Sequence, residues 1–173
     1  MSFNVSGDHG IAATRRGGGI YVPPNEGVVK WFSGDVYTIK LTSAQTGGSV
    51  GFLEASVPPG GGPAAHSHTD QDETFYLISG ELEFLDGYRL FTAGPGSLVH
   101  CPRGTRHRFK NVGFHTAHML FFYTPGGSEG LFIEGGDEPQ PGVAVPSWEP
   151  ERFQTERMVE LFEKYGSLTD PES

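Results

Sequence analysis

The stretch HSHTDQDETFYLISG at residues 66–80 decides the fold class of this chain. It contains the β-rich apolar run from Phe75 to Ile78, and a second run from Glu81 to Leu85 alternates polar and apolar residues. Alternation with a period of two is typical of a strand with one exposed face. Because Ser79-Gly80 separates the two runs and favours a tight turn, the sequence predicts a β-hairpin here.

Turn signals continue on both sides of this stretch. They recur at Asp86-Gly87, at 93–96 and at 102–104, roughly every eight residues, and a further apolar run spans 117–123. The chain carries 26 glycines and 13 prolines among 173 residues, spread between short apolar runs. Short strands at this spacing predict an all-β domain, either a sandwich or a barrel.

Four side chains within this pattern suit a metal ion. His66 and His68 are two residues apart, so they point to the same face of an extended strand. Glu73 would face the opposite side of a regular strand, but the polar segment 69–72 favours a bend that turns it back inward. His107 follows the turn at 102–104 and begins another strand. Three imidazoles and one carboxylate are therefore predicted to converge.

The spacing of these residues resembles both sequence motifs of the cupin superfamily. Every consensus position is filled in Gly60-x5-His66-x-His68-x4-Glu73-x6-Gly80 and in Gly96-x5-Pro102-x-Gly104-x2-His107-x3-Asn111. The resemblance implies a single cupin jelly-roll β-barrel. It also implies that His66, His68, Glu73 and His107 bind one divalent transition metal inside the barrel.

The ligand set itself is consistent with that implication. Imidazoles combined with one carboxylate suit Ni, Fe, Mn, Cu, Co or Zn, and four protein ligands leave one or two coordination positions open. One carboxylate on a divalent ion leaves a net charge near +1, which favours a monoanionic ligand such as an enolate or phenolate. We therefore expect a small-molecule substrate with an enolic or phenolic oxygen, and O₂ as a possible second substrate.

Within the superfamily, the chain resembles single-domain proteins similar to quercetin 2,3-dioxygenase, including the segment Thr124-Pro125-Gly126-Gly127-Ser128-Glu129-Gly130-Leu131-Phe132. This resemblance implies that Glu73 is both a metal ligand and the catalytic base that prepares the substrate for O₂. Gly130 departs from the pattern, because a bulkier residue closing the pocket is expected there. Two alternatives stay open: a metal-dependent cyclase, isomerase or lyase without redox chemistry, and a binding module without catalysis.

Strand parity predicts further residues around the metal. Phe75 and Leu77 share the parity of Glu73, and Phe109 shares that of His107, so these apolar side chains are expected to line the cavity. Four more residues on the neighbouring strands are candidates for the pocket or its mouth: Tyr76, His100, His118 and Phe122.

The organisation of the chain is predicted as one cupin domain spanning 1–173. Its parts are a flexible arm at 1–19, N-terminal strands extending the barrel at 20–57, the motifs and barrel core at 58–124, and a C-terminal extension at 125–173. Within that extension, Glu151 to Tyr165 shows apolar residues at helical spacing followed by Gly166, which predicts one amphipathic helix with a glycine C-cap.

The composition limits which binding partners and which cellular compartment we expect. The formal net charge of −9 disfavours nucleic acid and anionic membranes. The longest strongly apolar stretch, Met119 to Tyr123, is too short to span a bilayer, and the N-terminus lacks a basic segment followed by an apolar one. One cysteine, Cys101, excludes an intrachain disulfide. We expect a cytoplasmic protein, and an exposed N-terminal β-segment favours a homodimer.

Overall fold

The structure, a computed structural model, describes residues 18–169. The arm predicted at 1–19 therefore lies largely outside the described residues. Gly18 and Gly19, the two residues of that prediction within this range, are exposed and have no regular secondary structure.

Across residues 18–169 the chain forms strands joined by short turns, with four short helices. The strands are β1 (Val28–Phe32), β2 (Asp35–Leu41), β3 (Gly51–Val57), β4 (His66–His68), β5 (Asp72–Ser79), β6 (Leu82–Asp86), β7 (Arg89–Ala93), β8 (Leu98–Cys101), β9 (His107–Lys110), β10 (Ala117–Thr124) and β11 (Ser167–Thr169). The helices are α1 (Ser43–Thr46), α2 (Glu129–Gly135), α3 (Pro150–Phe153) and α4 (Glu156–Lys164). The predicted predominance of β-structure is confirmed.

The strands form two antiparallel sheets that pack against each other. One has the order β1-β2-β3-β10-β5-β8 and the other β11-β4-β9-β6-β7. For the part of the chain described, no ladder joins the two sheets, so the predicted closed barrel is instead a pair of facing open sheets. A core of aromatic side chains fills the space between them, with Phe75 contacting Phe84 of the other sheet at 5.4 Å between ring centroids. Burying each such side chain stabilises the fold by about 1.5–3 kcal/mol.

The hairpin predicted over residues 75–85 is wrong, although its two strands exist. β5 pairs with β10 and β8, whereas β6 belongs to the other sheet and pairs with β7 and β9. The chain crosses between the sheets at Gly80, whose φ of 81° and close approach to the Ala117 backbone both favour glycine. A crossing and a hairpin present the same turn signal, since both need glycine between two strands.

Two N-terminal strands extend the six-stranded sheet, as predicted. β1 and β2 form a hairpin through Ser33 and Gly34, which both have positive φ angles, of 56° and 88°. This backbone conformation matches the twist of a two-residue hairpin. The extension places the inward-facing Asp35, Tyr37 and Ile39 of β2 against the core.

The C-terminal segment closes one end of the space between the sheets. The single helix predicted from Glu151 to Tyr165 is divided into α3 and α4, because Thr155 is extended and caps α4 by accepting from the Met158 N–H. Met158 and Leu161 of α4 are buried. After Gly166, β11 pairs with β4 and so joins the second sheet. Among the helices of residues 18–169, none has the length and apolar character needed to cross a membrane.

Candidate metal centre

Four side chains from both sheets meet in the interior. His66 and His68 lie on β4 and His107 on β9 of the five-stranded sheet, whereas Glu73 lies on β5 of the six-stranded sheet. One potential ligand atom from each of the four lies within 4.8 Å of the others. The bend between β4 and β5 carries the chain from one sheet to the other, and Glu73 is only 2% exposed. The predicted inward turn of Glu73 is therefore confirmed.

Backbone carbonyls fix two of the imidazole rings. His66 Nδ1 lies 2.9 Å from the Ala64 carbonyl oxygen, and His107 Nδ1 lies 2.8 Å from that of Thr105. Because a carbonyl oxygen only accepts, each Nδ1 carries the hydrogen, and Nε2 keeps the lone pair of the neutral ring. A second hydrogen bond of this kind orients histidines that bind metals.

The third imidazole is oriented differently. His68 Nδ1 is buried and has no hydrogen-bond partner in the described part of the chain. Its ring packs against Tyr123 at 5.2 Å between centroids, while its Nε2 faces the Glu73 carboxylate. Packing and the carboxylate therefore hold this ring in place.

The Glu73 carboxylate lies between two of the histidines. Its Oε2 is 2.7 Å from His107 Nε2 and 3.1 Å from His68 Nε2. Burial raises the pKa of Glu73, but the hydrogen bonds with His107 and His68 outweigh burial and hold the pKa well below its usual range. Glu73 is therefore an anion. Since His107 already donates from Nδ1, its close Nε2–carboxylate contact requires a cation at this point, either a second proton on the ring or a metal ion.

The charge states of the histidines agree with this arrangement. Burial lowers the pKa of His107, but the hydrogen bond and charge of Glu73 outweigh it, so the net pKa is raised. Burial and the neighbouring His107 and His68 lower the pKa of His66 to about 3. His66 is consequently neutral near pH 7, as a metal ligand must be.

This donor set fits a divalent transition metal. Two ligand atoms on opposite sides of an ion, with bonds of about 2.1 Å, are about 4.2 Å apart. The 4.8 Å limit on the observed separations is close to that value, so the four side chains need to move only slightly to surround one ion. Three nitrogens and one carboxylate oxygen are typical of sites for first-row metals. The group can therefore hold a metal ion.

A cavity of about 260 Å³ adjoins the cluster. His66, His68 and Glu73 line it, while His107 is not among the lining residues. The remaining walls are largely aromatic, and most come from outside the two sequence motifs: Phe32, Phe109, Phe121, Phe132, Phe153 and Phe162. A ligand in this space would meet the carboxylate and two imidazoles at one end and apolar surface elsewhere.

Two tyrosines of the cavity were missed by sequence reasoning. Tyr37 of β2 and Tyr123 of β10 both line it, and the Glu73 carboxylate contributes to the raised pKa of Tyr123. Burial is the largest cause that raises the pKa of each phenol well above its ordinary value, so both are neutral. Tyr123 shares the parity of Met119 and Phe121, and the other parity of β10 mixes the polar His118 with apolar residues. The alternation therefore favoured an inward Tyr123, and the sequence interpretation overlooked this signal.

The parity predictions for the pocket separate into two groups. Phe109 lines the cavity as expected. Phe75 and Leu77 point inward and are 2% exposed, but they belong to the packed core and are not among the cavity-lining residues. The ring of Phe75 nevertheless lies 6.1 Å from that of His107, so it supports the cluster from behind.

The other four pocket candidates lie on the outer face of the six-stranded sheet, which corrects their prediction. Tyr76 is 42% exposed. His100 bonds with Thr74 and His118 with Ser56, each through Nδ1, while Phe122 stacks on Phe52. Their inward-facing neighbours on the same strands, Phe75, Cys101, Met119 and Phe121, take the interior positions.

The space beside Gly130 is filled by an aromatic ring from another part of the tail. A methyl group built on Gly130 would overlap the ring of Tyr165, which follows α4. Neither Gly130 nor Tyr165 is among the residues that line the cavity.

Comparison with known proteins places the chain in a family. The family model described as "Cupin domain" matches residues 53–123. Polyketide synthase CurC of Streptomyces cyaneus is 36% identical over 95 residues, which are 53% of this chain and 60% of CurC. Protein SchB of Streptomyces halstedii is 34% identical over 107 residues, or 60% of this chain and 72% of SchB. Quercetin 2,3-dioxygenase of Bacillus subtilis is 26% identical over 128 residues, which cover 74% of this chain but 37% of that enzyme.

Solved structures show the same fold. A predicted oxalate decarboxylase from Thermotoga maritima superposes with a TM-score of 0.58 at 19% identity, covering 61% of this chain and 99% of that one. KdgF from Halomonas sp. gives a TM-score of 0.57 at 15% identity, covering 65% and 98% of the two chains. With both motifs filled, their ligand residues gathered in the interior and SchB matched over most of its length, the chain belongs to the cupin superfamily.

Proposed function

We propose that the chain is a metal-dependent enzyme that adds O₂ to a phenolic or enolic small molecule, as quercetin 2,3-dioxygenase does by its name. One observation carries this proposal: the cluster of His66, His68, Glu73 and His107 adjoins an aromatic cavity, with Glu73 at the boundary between them. A planar ring system suits the walls, and an acidic hydroxyl suits the carboxylate.

The four clustered side chains would hold the metal. When bound, a divalent ion supplies positive charge and open coordination positions that stabilise an anionic oxygen of the substrate. Three neutral imidazoles and one carboxylate leave the site with a net charge near +1, which matches one phenolate or enolate. The identity of the metal among Ni, Fe, Mn, Cu, Co and Zn depends on supply as well as on these ligands.

Glu73 is the proton acceptor in this proposal. The proton leaves the substrate hydroxyl for a carboxylate oxygen of Glu73, and the bonding electron pair stays on the substrate oxygen. The contacts of Glu73 Oε2 with His107 and His68 fix the orientation of the carboxylate. The apolar walls hold the ring and exclude water. O₂ is then both the oxidant of the substrate and the source of the added oxygen atoms, so no external reductant is required.

The relatives support the proposal in two ways. The match to quercetin 2,3-dioxygenase spans 74% of this chain, and an oxidoreductase of Pestalotiopsis fici, iacF, is 38% identical over 61 residues. The chain covers 37% of the length of quercetin 2,3-dioxygenase and 30% of iacF, so their activities come to it as a proposal only.

A second candidate function is a cyclisation or isomerisation without O₂. It is favoured by the 36% identity to a protein named as a polyketide synthase, since polyketides carry enolisable carbonyl groups. In that reaction Glu73 would remove a proton beside a carbonyl and return it elsewhere on the same molecule. The same cavity and cluster would serve, so the two candidates differ only in their use of O₂.

Oxygen consumption separates the candidates. The purified protein, with the metal that it carries on isolation, is mixed with flavonols and with β-dicarbonyl aromatic compounds, while O₂ uptake and product masses are recorded. We expect uptake with both atoms of ¹⁸O₂ recovered in the products, including any one-carbon fragment that is released, and loss of uptake in His66→Ala. His100→Ala is the matched control, because His100 lies on the outer face. Product of unchanged mass without uptake supports the second candidate, and absence of any turnover contradicts both.

A further inference from the structure

A buried acidic pair lies apart from the metal cluster. Asp35 and Tyr37 are on the same face of β2, and the Tyr37 hydroxyl donates to Asp35 Oδ2 at 3.0 Å. Asp35 is fully buried, and its second oxygen, Oδ1, has no hydrogen-bond partner within residues 18–169. A carboxyl group that is buried with one oxygen unsatisfied is costly for the fold.

The surroundings of Asp35 offer its carboxyl group few hydrogen-bond partners. The loop at 58–62, composed of proline and glycine, packs over it, and a methyl group at Gly61 would overlap Asp35 Oδ1. Burial raises the pKa of Asp35 to about 7, although the hydrogen bond from Tyr37 and the nearby Gly62 backbone act in the opposite direction. Near neutral pH the carboxyl group therefore exchanges between its charged and neutral forms.

A purely structural carboxylate in this protein looks different. Glu129 is also buried, but both of its oxygens accept backbone hydrogen bonds, from the Ser43 N–H at 2.5 Å and the Gly127 N–H at 2.7 Å. Asp35 instead uses a tyrosine that faces the cavity. This contrast points to a role for the pair in the cavity.

Tyr37 is held rigidly at the cavity wall. Its ring packs on Phe132 at 4.5 Å and on Phe121 at 5.8 Å between centroids. In the six-stranded sheet, β3 and β10 separate its strand from that of Glu73, so the strand axes are about 14 Å apart. The cavity wall on this sheet thus carries polar groups on three strands, with Glu73 on β5, Tyr123 on β10 and Tyr37 on β2, and in strand order Tyr37 lies farthest from the metal cluster.

We propose that Tyr37, positioned by Asp35, binds a second oxygen atom of an aromatic ligand whose first oxygen lies at the metal cluster. The inference rests on the proposed function for its ligand class, and it adds that this ligand carries two oxygen groups on separate parts of its ring system. When Asp35 is ionised, Tyr37 donates to it and accepts from a ligand hydroxyl. When Asp35 is protonated, it donates to Tyr37, and the phenol hydrogen is available to a ligand carbonyl.

The test compares two flavonols under argon, where no O₂ reaction takes place. 3-Hydroxyflavone has oxygen atoms only around its central ring, whereas kaempferol adds hydroxyls at both ends of the same skeleton. Dissociation constants are measured by fluorescence for the protein with its isolated metal. We expect the wild type to bind kaempferol at least about tenfold more tightly, the effect of one good hydrogen bond. Tyr37→Phe should abolish this preference while changing affinity for 3-hydroxyflavone less than about twofold.

Two substitutions of Asp35 test its positioning role. Asp35→Ala removes the acceptor that holds Tyr37 and should reduce the preference for kaempferol as Tyr37→Phe does. Asp35→Asn keeps an acceptor oxygen and should retain most of the preference for kaempferol. A merely structural role of Asp35 would not produce this rescue. Tyr76→Phe, on the outer face, is the matched control and should change neither affinity.

Each contrary result has its own meaning. Unchanged preference for kaempferol in Tyr37→Phe, or equal weakening of both flavonols, overturns the inference and leaves the proposed function in place. If the wild type binds neither flavonol, the ligand class of the proposed function and the inference fail together. O₂ uptake by Tyr37→Phe with 3-hydroxyflavone at the wild-type rate would show independently that the cluster still functions.

Discussion

His66 and His107 face each other across β4 and β9, with ring centroids 4.6 Å apart. This is the one residue pair through which the two strands are in register. Because each ring also donates to a carbonyl oxygen of its own strand segment, the two Nε2 atoms are set before any ligand arrives. The site is consequently preorganised by the backbone of both strands.

Replacing Glu73 with Gln should weaken metal binding while the chain still folds. Gln has nearly the same shape, but it removes the only negative charge that faces His68 and His107 in the cluster. We expect the affinity for a divalent ion to fall at least about tenfold, the lower limit seen when even a residue outside the coordination sphere is lost. Isothermal titration with Ni²⁺ measures this, with Glu83→Gln as the control. An unchanged affinity would exclude Glu73 as a ligand.

The buried Asp35 predicts a pH-dependent stability. Its pKa of about 7 in the folded chain exceeds the ordinary value of 3.8, so folding favours the protonated form. The stability that this form contributes is complete below about pH 4 and is lost as the pH rises through about 7. Relative to Asp35→Asn, the wild type should lose roughly 2–3 kcal/mol between about pH 5 and about pH 8.

Urea unfolding of the two proteins at several pH values measures this difference. Glu81→Gln serves as the control, since Glu81 is exposed and its substitution should leave the pH profile parallel to that of the wild type. A constant difference between wild type and Asp35→Asn over the whole range would show that Asp35 ionises normally in the folded protein.

Gly130→Ala should destabilise the protein although the position is helical. Helix propensity alone favours Ala over Gly by about 1 kcal/mol. Here the new methyl group would overlap the Tyr165 ring, and such overpacking costs about 1–3 kcal/mol. Combining Gly130→Ala with Tyr165→Ala should cost less than the sum of the two changes. Thermal unfolding measures both, and Gly94→Ala, with open space around it, is the control. If the two losses of stability simply add in the double variant, the predicted overlap between the new methyl group and the Tyr165 ring is contradicted.

Glu129→Gln tests how the tail is attached to the first sheet. The carboxylate accepts from Ser43 before β3 and from Gly127 before α2, so it joins segments that are distant in sequence. An amide has one acceptor oxygen and leaves one of these N–H groups unpaired, at a cost of about 1–3 kcal/mol. Chemical denaturation measures this loss in the free energy of unfolding. Exposed Glu149→Gln should stay within about 0.5 kcal/mol, and equal effects of the two would contradict the role of Glu129.

The cluster was predictable because its residues follow local rules. His66 and His68 are related by strand parity alone, and the polar segment after them signalled the bend that turns Glu73 inward. The prediction of which strands pair with each other was wrong. Gly80 was interpreted as a hairpin turn, whereas it marks a crossing between sheets, and no local signal distinguishes the two.

The cavity walls were less predictable for a physical reason. In β10 the inward parity of Phe121 and Tyr123 is the more apolar one, but Phe122 at the other parity weakens the alternation, and the sequence interpretation placed His118 and Phe122 on the wrong face. Phe32, Phe153 and Phe162 reach the cavity only through long-range packing of the N-terminal hairpin and the tail. Such contacts between distant segments leave no pattern in the chain.

Metal content tests the central claim most directly. Wild type, His66→Ala, His107→Ala and the outer-face control His118→Ala are purified identically and analysed by inductively coupled plasma mass spectrometry. The account predicts about one divalent transition metal per chain in the wild type and in His118→Ala, and near-complete loss in the other two variants. Equal metal content in all four proteins, or none in the folded wild type even after incubation with each candidate ion, would contradict it.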